Sequence, residues 1–346
     1  MDRTTTIAVD LAKSVFQVAV ADGQWRVVGR HRFGRPQLLR FFGERQPCLV
    51  VMEACGTAHF WARWLSTSGF TVRLLPPQYV RPFVRRNKTD RSDADALLEA
   101  ARSSQLAAVP VKSEHQQMVL SLHRLRAAWL ASRTARGNTV RGILREFGIN
   151  LPSGVRRLPA SVEALLSEST CAVPTAIHPL LRQACAEIRD LRQRIEDTER
   201  ELERLAADMP VVALLRSVPG IGLLTSTAMV AAVGDALRFP SGRHLASWLG
   251  LTPRERSSGN VRRLGGISKR GDRYLRTLLI HGGRSVLAAA SRRGCGDRLR
   301  AWGLEIARLR GHNRAAVAVA NKLARICWAL WRHGDRYQGR PLQQAA

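Results

Sequence analysis

Two short apolar runs near the amino terminus each stop on an acid: TTTIAV at 4–9 ends at Asp10, and CLVVM at 48–52 ends at Glu53. Both are strand-length and too short for helices, and the first is rich in β-branched residues. Between them, residues 15–20 and 25–33 read as two more strands joined at Asp22-Gly23, giving three adjacent antiparallel strands. After Pro36, a helix carrying Leu38, Leu39, Phe41 and Phe42 leads into CLVVM, which suits a buried central strand. Residues 57–68 read as helix and TVRLL at 71–75 as a further strand, closed by Pro76-Pro77. From Ser92 or Asp93 onward, ADALLEAARSS reads as a helix with acids in its first turn, where the helix dipole favours them. Strands that alternate with helices in this order predict an α/β sheet domain.

The chain is 346 residues long, enough for more than one core. Beyond the strands it turns helical. Residues 116–147 place Met118, Leu122, Leu125, Trp129, Val140, Ile143 and Phe147 at three- and four-residue steps, which predicts one long amphipathic helix or two in line. Residues 181–209 repeat the pattern with Leu181, Ala184, Ile188, Leu191, Ile195, Thr198, Leu202, Leu205 and Met209. One helix cannot bury such a seam alone, so it requires an antiparallel partner helix or a second subunit. Pro210 ends it, and 211–346 reads as basic and mostly helical with Gly-rich breaks at 219–222, 256–266 and 294–296. The organisation expected is therefore 1–110 as the sheet domain, 111–210 as a helical coiled-coil region and 211–346 as a carboxy-terminal domain.

Charge narrows the partner. The 55 Lys+Arg against 27 Asp+Glu give a formal +28, a field that draws polyanions, with nucleic acid foremost. No stretch approaches the roughly 18 apolar residues of a membrane span. Asp10 and Lys13 stand where a signal peptide would be apolar, so a cytoplasmic protein without membrane partner is expected. The six cysteines, at 48, 55, 171, 185, 295 and 327, form no C-x-x-C pair and read as buried thiols.

In an RNase H-like fold the first and fourth strands end side by side, which would bring Asp10 to Glu53. Asp90 and Asp93 are three residues apart and share a face if their helix starts at or before Asp90. Four gathered carboxylates repel one another unless a cation sits among them, and Mg²⁺ suits an all-oxygen set with positions left for phosphate and water. Asp90 and Asp93 lie in RRNKTDRSDAD, whose Arg86 and Lys88 would meet a phosphate backbone. The rival with a related core is the sugar-kinase and actin-like ATPase group. It needs a second Gly-rich phosphate loop in a duplicated sheet domain, and this chain turns helical instead.

Two carboxy-terminal motifs add to this. SVPGIGLLTSTAMVA at 217–231 has the form of a helix-hairpin-helix, in which Gly220 and Gly222 permit a turn whose amides hold a backbone phosphate; an ordinary αα-turn is the alternative. In LASWLGLTPRERSSGNVRRLGGISKRGDRYLRTLL at 245–279, Ser257 and Ser258 sit among Arg254, Arg256, Arg262, Arg263, Lys269 and Arg270. Residues 251–276 hold eight Lys/Arg against two acids. A serine nucleophile needs a base or metal and a cationic setting for the phosphate it attacks, and the arginines supply the setting. Composition alone favours a phosphate-binding loop with incidental serines over a nucleophile.

IAVDLAKS, VVMEACGT, RNKTDRSDADAL, SVPGIG, LGLTPRERSSGN and GGISKRGDRYLR, in that order over nearly the whole chain, resemble the DEDD-type transposases of bacterial insertion sequences. That group includes Piv-like DNA invertases and bridge-RNA-guided recombinases. The resemblance implies a RuvC-like first domain with its acidic tetrad at Asp10, Glu53, Asp90 and Asp93. It implies a nucleophilic serine at Ser258, with Ser257 as the alternative should the loop be offset by one. It further implies a phosphoserine link to a DNA 5′ end, Mg²⁺ at the tetrad, and a homo-oligomer, dimer or tetramer, whose active site combines two subunits. Donor and target DNA, a structured noncoding guide RNA, and a nucleoid-associated place in a bacterial cytoplasm follow from it too. A RuvC-like endonuclease using water needs the tetrad but not Ser258, and a basic architectural DNA-binding protein needs neither.

Overall fold

The computed structural model describes residues 4–84, 90–103, 105–294 and 296–339, with the side chains of 4, 5, 90–92 and 293 outside the description. It divides into two compact units, Met1–Glu114 and His115–Ala346.

The first unit is built on a five-stranded sheet: β1 (Thr4–Leu11), β2 (Phe16–Asp22), β3 (Val27–Phe33), β4 (Leu49–Glu53) and β5 (Thr71–Leu75), in spatial order β3-β2-β1-β4-β5. β1, β2 and β3 are antiparallel neighbours, whereas β4 and β5 are added in parallel. This is the RNase H-like order. The turn between β2 and β3 forms because Asp22 Oδ1 accepts from the amides of Gln24 and Arg26, each at 2.9 Å. Helices α1 (Arg35–Gly43) and α2 (Ala58–Thr67) cover one face, where Phe16, Phe42, Trp61 and Phe70 join Ile7, Val9, Val50 and Met52 in an aromatic-rich core. After the short α3 (Pro77–Val80), α4 (Asp90–Arg102) covers the other face with Ala94, Leu97, Leu98 and Ala101, against Ala8, Ala19, Val51 and Leu75. Small side chains on both surfaces let that helix lie close.

The second unit begins with α5 (Glu114–Glu146), α6 (Leu158–Leu166) and α7 (His178–Ala207). Ion pairs Arg126–Glu199 at 2.7 Å and Arg136–Glu187 at 2.6 Å fix α5 and α7 as antiparallel. The α7 seam is buried within its own chain. Leu181, Cys185 and Ile188 pack with Val140, Leu144 and the α6 residues Leu158 and Val162. Leu202 and Leu205 pack with Val119 of α5. Of the positions expected to be buried on α5, Val140 is buried and Leu122 and Phe147 pack partly, but the inward stripe is otherwise a different one. Met118, Leu125 and Ile143 are exposed, while Val119, His123, Val140, Arg141 and Leu144 are buried. The inward stripe also carries a histidine and arginines with polar partners, so apolar periodicity found only part of it.

The rest is a helical bundle of α8 (Pro210–Arg216), α9 (Leu223–Val233), α10 (Gly242–Trp248), α11 (Arg273–Arg293), α12 (Arg298–Arg310) and α13 (His312–His333). Its core gathers Leu215, Met229, Leu245, Leu279, Val319 and Leu323. Between α10 and α11 the chain forms a two-stranded antiparallel hairpin, β6 (Pro253–Glu255) and β7 (Leu264–Ile267), where only a Gly-bounded loop was expected. Among the described residues no helix is long and apolar enough to cross a membrane. Cys185 and Cys327 are buried, and Cys48, Cys55 and Cys171 are half-buried rather than fully so.

Candidate active site

The parallel register pairs Val9 with Met52, so Asp10 and Glu53 are the next pair along two neighbouring strands. Side chains alternate between faces, which puts Asp10 with Ala8 and Glu53 with Val51, on the face that α4 covers. Both acids are half-buried. α4 starts at Asp90, earlier than Ser92, so Asp90 and Asp93 both fall in its first turn at a spacing that shares one face. Asp93 is half-buried with Oδ1 out of solvent. The side chain of Asp90 lies outside the described residues, as do Arg86 and Lys88 entirely.

Two arginines that sequence reasoning passed over hold α4 on the sheet. Arg30 of β3 pairs with Asp95 at 3.0 Å. Arg73 of β5 donates to the carbonyls of Ala101, Ser103 and Leu106 at 2.9, 3.0 and 2.7 Å, satisfying the carboxyl end of α4 where a cation is also favoured by the dipole. Their signal was weak, since a single arginine inside a strand has many explanations. Among the described residues no group of three or more His, Cys, Asp or Glu is arranged to hold a metal ion. The donors that the register does bring together are carboxylates, which fit a hard divalent cation better than a soft one.

The serines stand at the tip of the second unit's hairpin. Ser258 and Val261 exchange backbone hydrogen bonds at 3.3 and 3.1 Å across Gly259-Asn260, and Gly259 supplies the positive φ of +53° that this tight turn needs. The two hydroxyls differ. Ser257 Oγ donates to Glu255 Oε1 at 2.8 Å and accepts from the Arg263 amide at 3.2 Å. Ser258 is exposed, and among the described residues its hydroxyl makes no hydrogen bond. Arg254, Arg256, Arg262, Arg263, Lys269 and Arg270 are all exposed on this ribbon. Of them Arg262 is engaged with Glu255 at 3.4 Å.

The base of the ribbon is fixed. Arg276 of α11, almost fully buried, donates to the carbonyls of Leu249 and Arg270, both at 3.0 Å. Asn321 of α13 donates to Leu251 O at 3.1 Å, and the Ser268 amide to Thr252 O at 2.8 Å. A Cβ at Gly250 or Gly271 would run into the backbone of Arg270 or Trp248. These anchoring residues were missed because nothing in their spacing marks them, although Arg276 ends the GDRYLR motif.

Gly220 and Gly222 occupy the turn between α8 and α9. Gly220 has φ of +83°, and a Cβ there would lie 2.6 Å from Gly282 O of α11. Close packing thus accounts for Gly220, while Gly222 is exposed at the N-cap of α9. Nearby, buried His123 joins Tyr274 and Thr227, each at 3.0 Å. Burial and then the charge of Arg126 lower its pKa to about 4.

Residues 7–149 match the model of IS110-type DEDD transposases, and 212–294 match the "Transposase IS116/IS110/IS902 family". Together with the RNase H-like strand order, these matches define the class: a transposase that acts on DNA. A "Probable family 20 transposase" of Pseudomonas aeruginosa is 45% identical over 94% of this chain and 96% of its own. The transposase for insertion sequence element IS1111A of Coxiella burnetii is 37% identical, covering 96% and 91%. That for IS1328 of Yersinia enterocolitica is 36% identical, covering 96% and 98%. The chain belongs to the IS110 family of insertion-sequence transposases, enzymes of DNA strand transfer.

Proposed function

We propose that this transposase cuts and rejoins DNA through a two-part centre, with Ser258 as nucleophile and Asp10, Glu53, Asp90 and Asp93 as ligands of Mg²⁺. The observation that carries the reading is the contrast between neighbouring serines. Ser257 is committed to Glu255 and the Arg263 amide, whereas Ser258 offers a hydroxyl with no competing hydrogen bond. The adjacent register of Asp10 and Glu53 supports the acidic half.

Ser258 Oγ attacks the phosphorus, the bond to the 3′ oxygen breaks, and a phosphoserine to the 5′ end forms with a free 3′-OH. A 3′-OH then attacks the phosphoserine and releases Ser258, so bond energy is conserved and no nucleotide is consumed. Bound Mg²⁺ would supply a Lewis acid that polarises the phosphate. Arg254, Arg256 and Arg263 offset the charge that develops on the phosphoryl oxygens, and their planar forks match phosphate geometry. Lys269, Arg270, Arg86 and Lys88 hold flanking backbone, and the Gly220–Gly222 turn adds a backbone contact through the start of α9. The Ser258 proton leaves to solvent or to a tetrad carboxylate.

In this reading residues 1–110 are a RuvC-like catalytic domain, 111–210 a helical coiled-coil region and 211–346 a transposase domain. The protein works as a homo-oligomer whose subunits share active sites, and a structured noncoding RNA selects donor and target. Exposed arginines suited to backbone rather than bases support that division of tasks.

The test traps protein on labelled DNA under denaturing conditions, with and without element-derived RNA. Ser258→Ala should abolish the adduct, Ser257→Ala should retain it, and Asp10→Ala should lose both adduct and cleavage. Undiminished cleavage by Ser258→Ala would replace the serine by water, and full activity of Asp10→Ala would remove the metal site.

A further inference from the structure

The far end of the α5–α7 pair carries a second concentration of charge that the reaction does not use. Residues 133–157 contain six arginines and one acid, Glu146. The neighbouring acids are engaged: Glu187 with Arg136 at 2.6 Å, Glu163 with Arg182 at 3.0 Å and Glu196 with Arg192 at 2.8 Å. Among the described residues Arg133, Arg145, Arg156 and Arg157 have no ion-pair partner.

A cavity of about 490 Å³ opens here between the last turns of α5 and the segment that follows. Asn138, Arg141, Arg145, Asn150 and Ser153 line it, all able to donate, and no carboxylate does. Arg141 is the informative member. It is only 9% exposed, its Nη2 donates to Gly154 O at 2.6 Å, and its Nε is out of solvent without a partner. A guanidinium stays charged at any working pH, so burying it beside a neutral carbonyl leaves a cation that, among the described residues, no carboxylate pairs with. Such a charge is tolerated where an anion completes it. A larger cavity of about 850 Å³ adjoins the same 154–156 segment; there Arg133, Arg156 and Arg189 are joined by Glu163, Glu196 and Glu199, so the pocket without carboxylates is the smaller one.

We propose that this pocket takes a phosphodiester of the nucleic-acid backbone, and that the α5–α6 end is a clamp separate from the serine ribbon. Arg141 holds the phosphate from below, Arg145 closes over it, and Asn138, Asn150 and Ser153 donate to its oxygens. Val119 packs with Val212 and Ala231 at the opposite end of α5, and 22 helical residues separate it from Arg141, roughly 33 Å. Nucleic acid held here is thus gripped well away from the bundle that carries Ser258. The inference rests on the chain acting on DNA and not on which residue is the nucleophile.

Full-length protein carrying Asn138→Asp and Arg145→Gln, both at exposed positions, tests this by fluorescence anisotropy against a DNA duplex and a structured RNA over a salt series. Affinity for the nucleic acid seated here should fall about tenfold, and the slope of log K against log salt should lose about 0.9 for each duplex contact removed. Arg182→Gln, which removes an arginine already paired with Glu163, is the matched control and should change neither. The probe whose slope changes tells DNA from RNA as the source of the phosphate. Thermal melting confirms folding, and Asn138→Asp alone serves should the double variant melt early. Adduct formation at saturating DNA should persist, which separates loss of the clamp from loss of the nucleophile. Wild-type affinity and slope for both probes would overturn the proposal.

Discussion

Thr227 has one hydroxyl proton, and it goes to Leu223 O at 2.6 Å, so Thr227 must accept from His123 Nε2. His123 Nδ1 is then an acceptor, and the Tyr274 hydroxyl donates to it. Arg126, paired with Glu199, places its positive charge beside both rings. This directed chain links α5, α9 and α11 and has no place for a second imidazole proton. The folded chain therefore keeps His123 neutral down to about pH 4, whereas the unfolded chain protonates it near 6.5. Between those values the unfolded state binds more protons, so stability falls as pH drops through that window and is untouched above it. The loss is on the order of 3 kcal/mol. Urea titrations should show it in wild type and not in His123→Gln; parallel curves for the two proteins would refute the assignment.

Among elements, the α7 seam gives the sharpest contrast. Leu202 is fully buried, and Leu180 on the same helix is 63% exposed. Leu202→Ala should cost about 2–5 kcal/mol and Leu180→Ala less than about 0.5, read from urea midpoints. Equal effects would mean that the seam is not packed within the chain. This helix was legible in the sequence because its apolar positions recur without interruption between charges. β1 and β4 were legible because each run is short, apolar and closed by an acid, and the pairing of Asp10 with Glu53 followed from them. The inward face of α5 was legible only at Val140, since His123, Arg126 and Arg141 also sit inside it and are held by polar partners outside the helix. β6 and β7 escaped for a related reason. PRE and LGGI carry little strand propensity, and what holds them is Arg276 and Asn321 from helices elsewhere. Periodicity sees a solvent boundary and does not see a buried polar contact.

For the molecule as a whole, the formal +28 makes association with DNA an ion-exchange reaction. If 6–10 phosphates are neutralised, affinity should drop by roughly 10³ to 10⁵ between 50 and 200 mM salt. Anisotropy titrations measure this directly, and a nearly flat response would mean that the charge serves another purpose. α5 adds a dimension to that association. Its 33 residues make a rod about 50 Å long, which matches about fifteen base steps of duplex at 3.4 Å each. Such a rod is a ruler, and its graduations are heptads. Removing seven residues from α5 and seven from α7 would keep every seam position on its face while shortening the span by about 10 Å, or three base steps. The distance between nucleic-acid contacts at the two ends of α5 would then be written in the length of a helix pair, with the heptad as the step that leaves the seam unchanged.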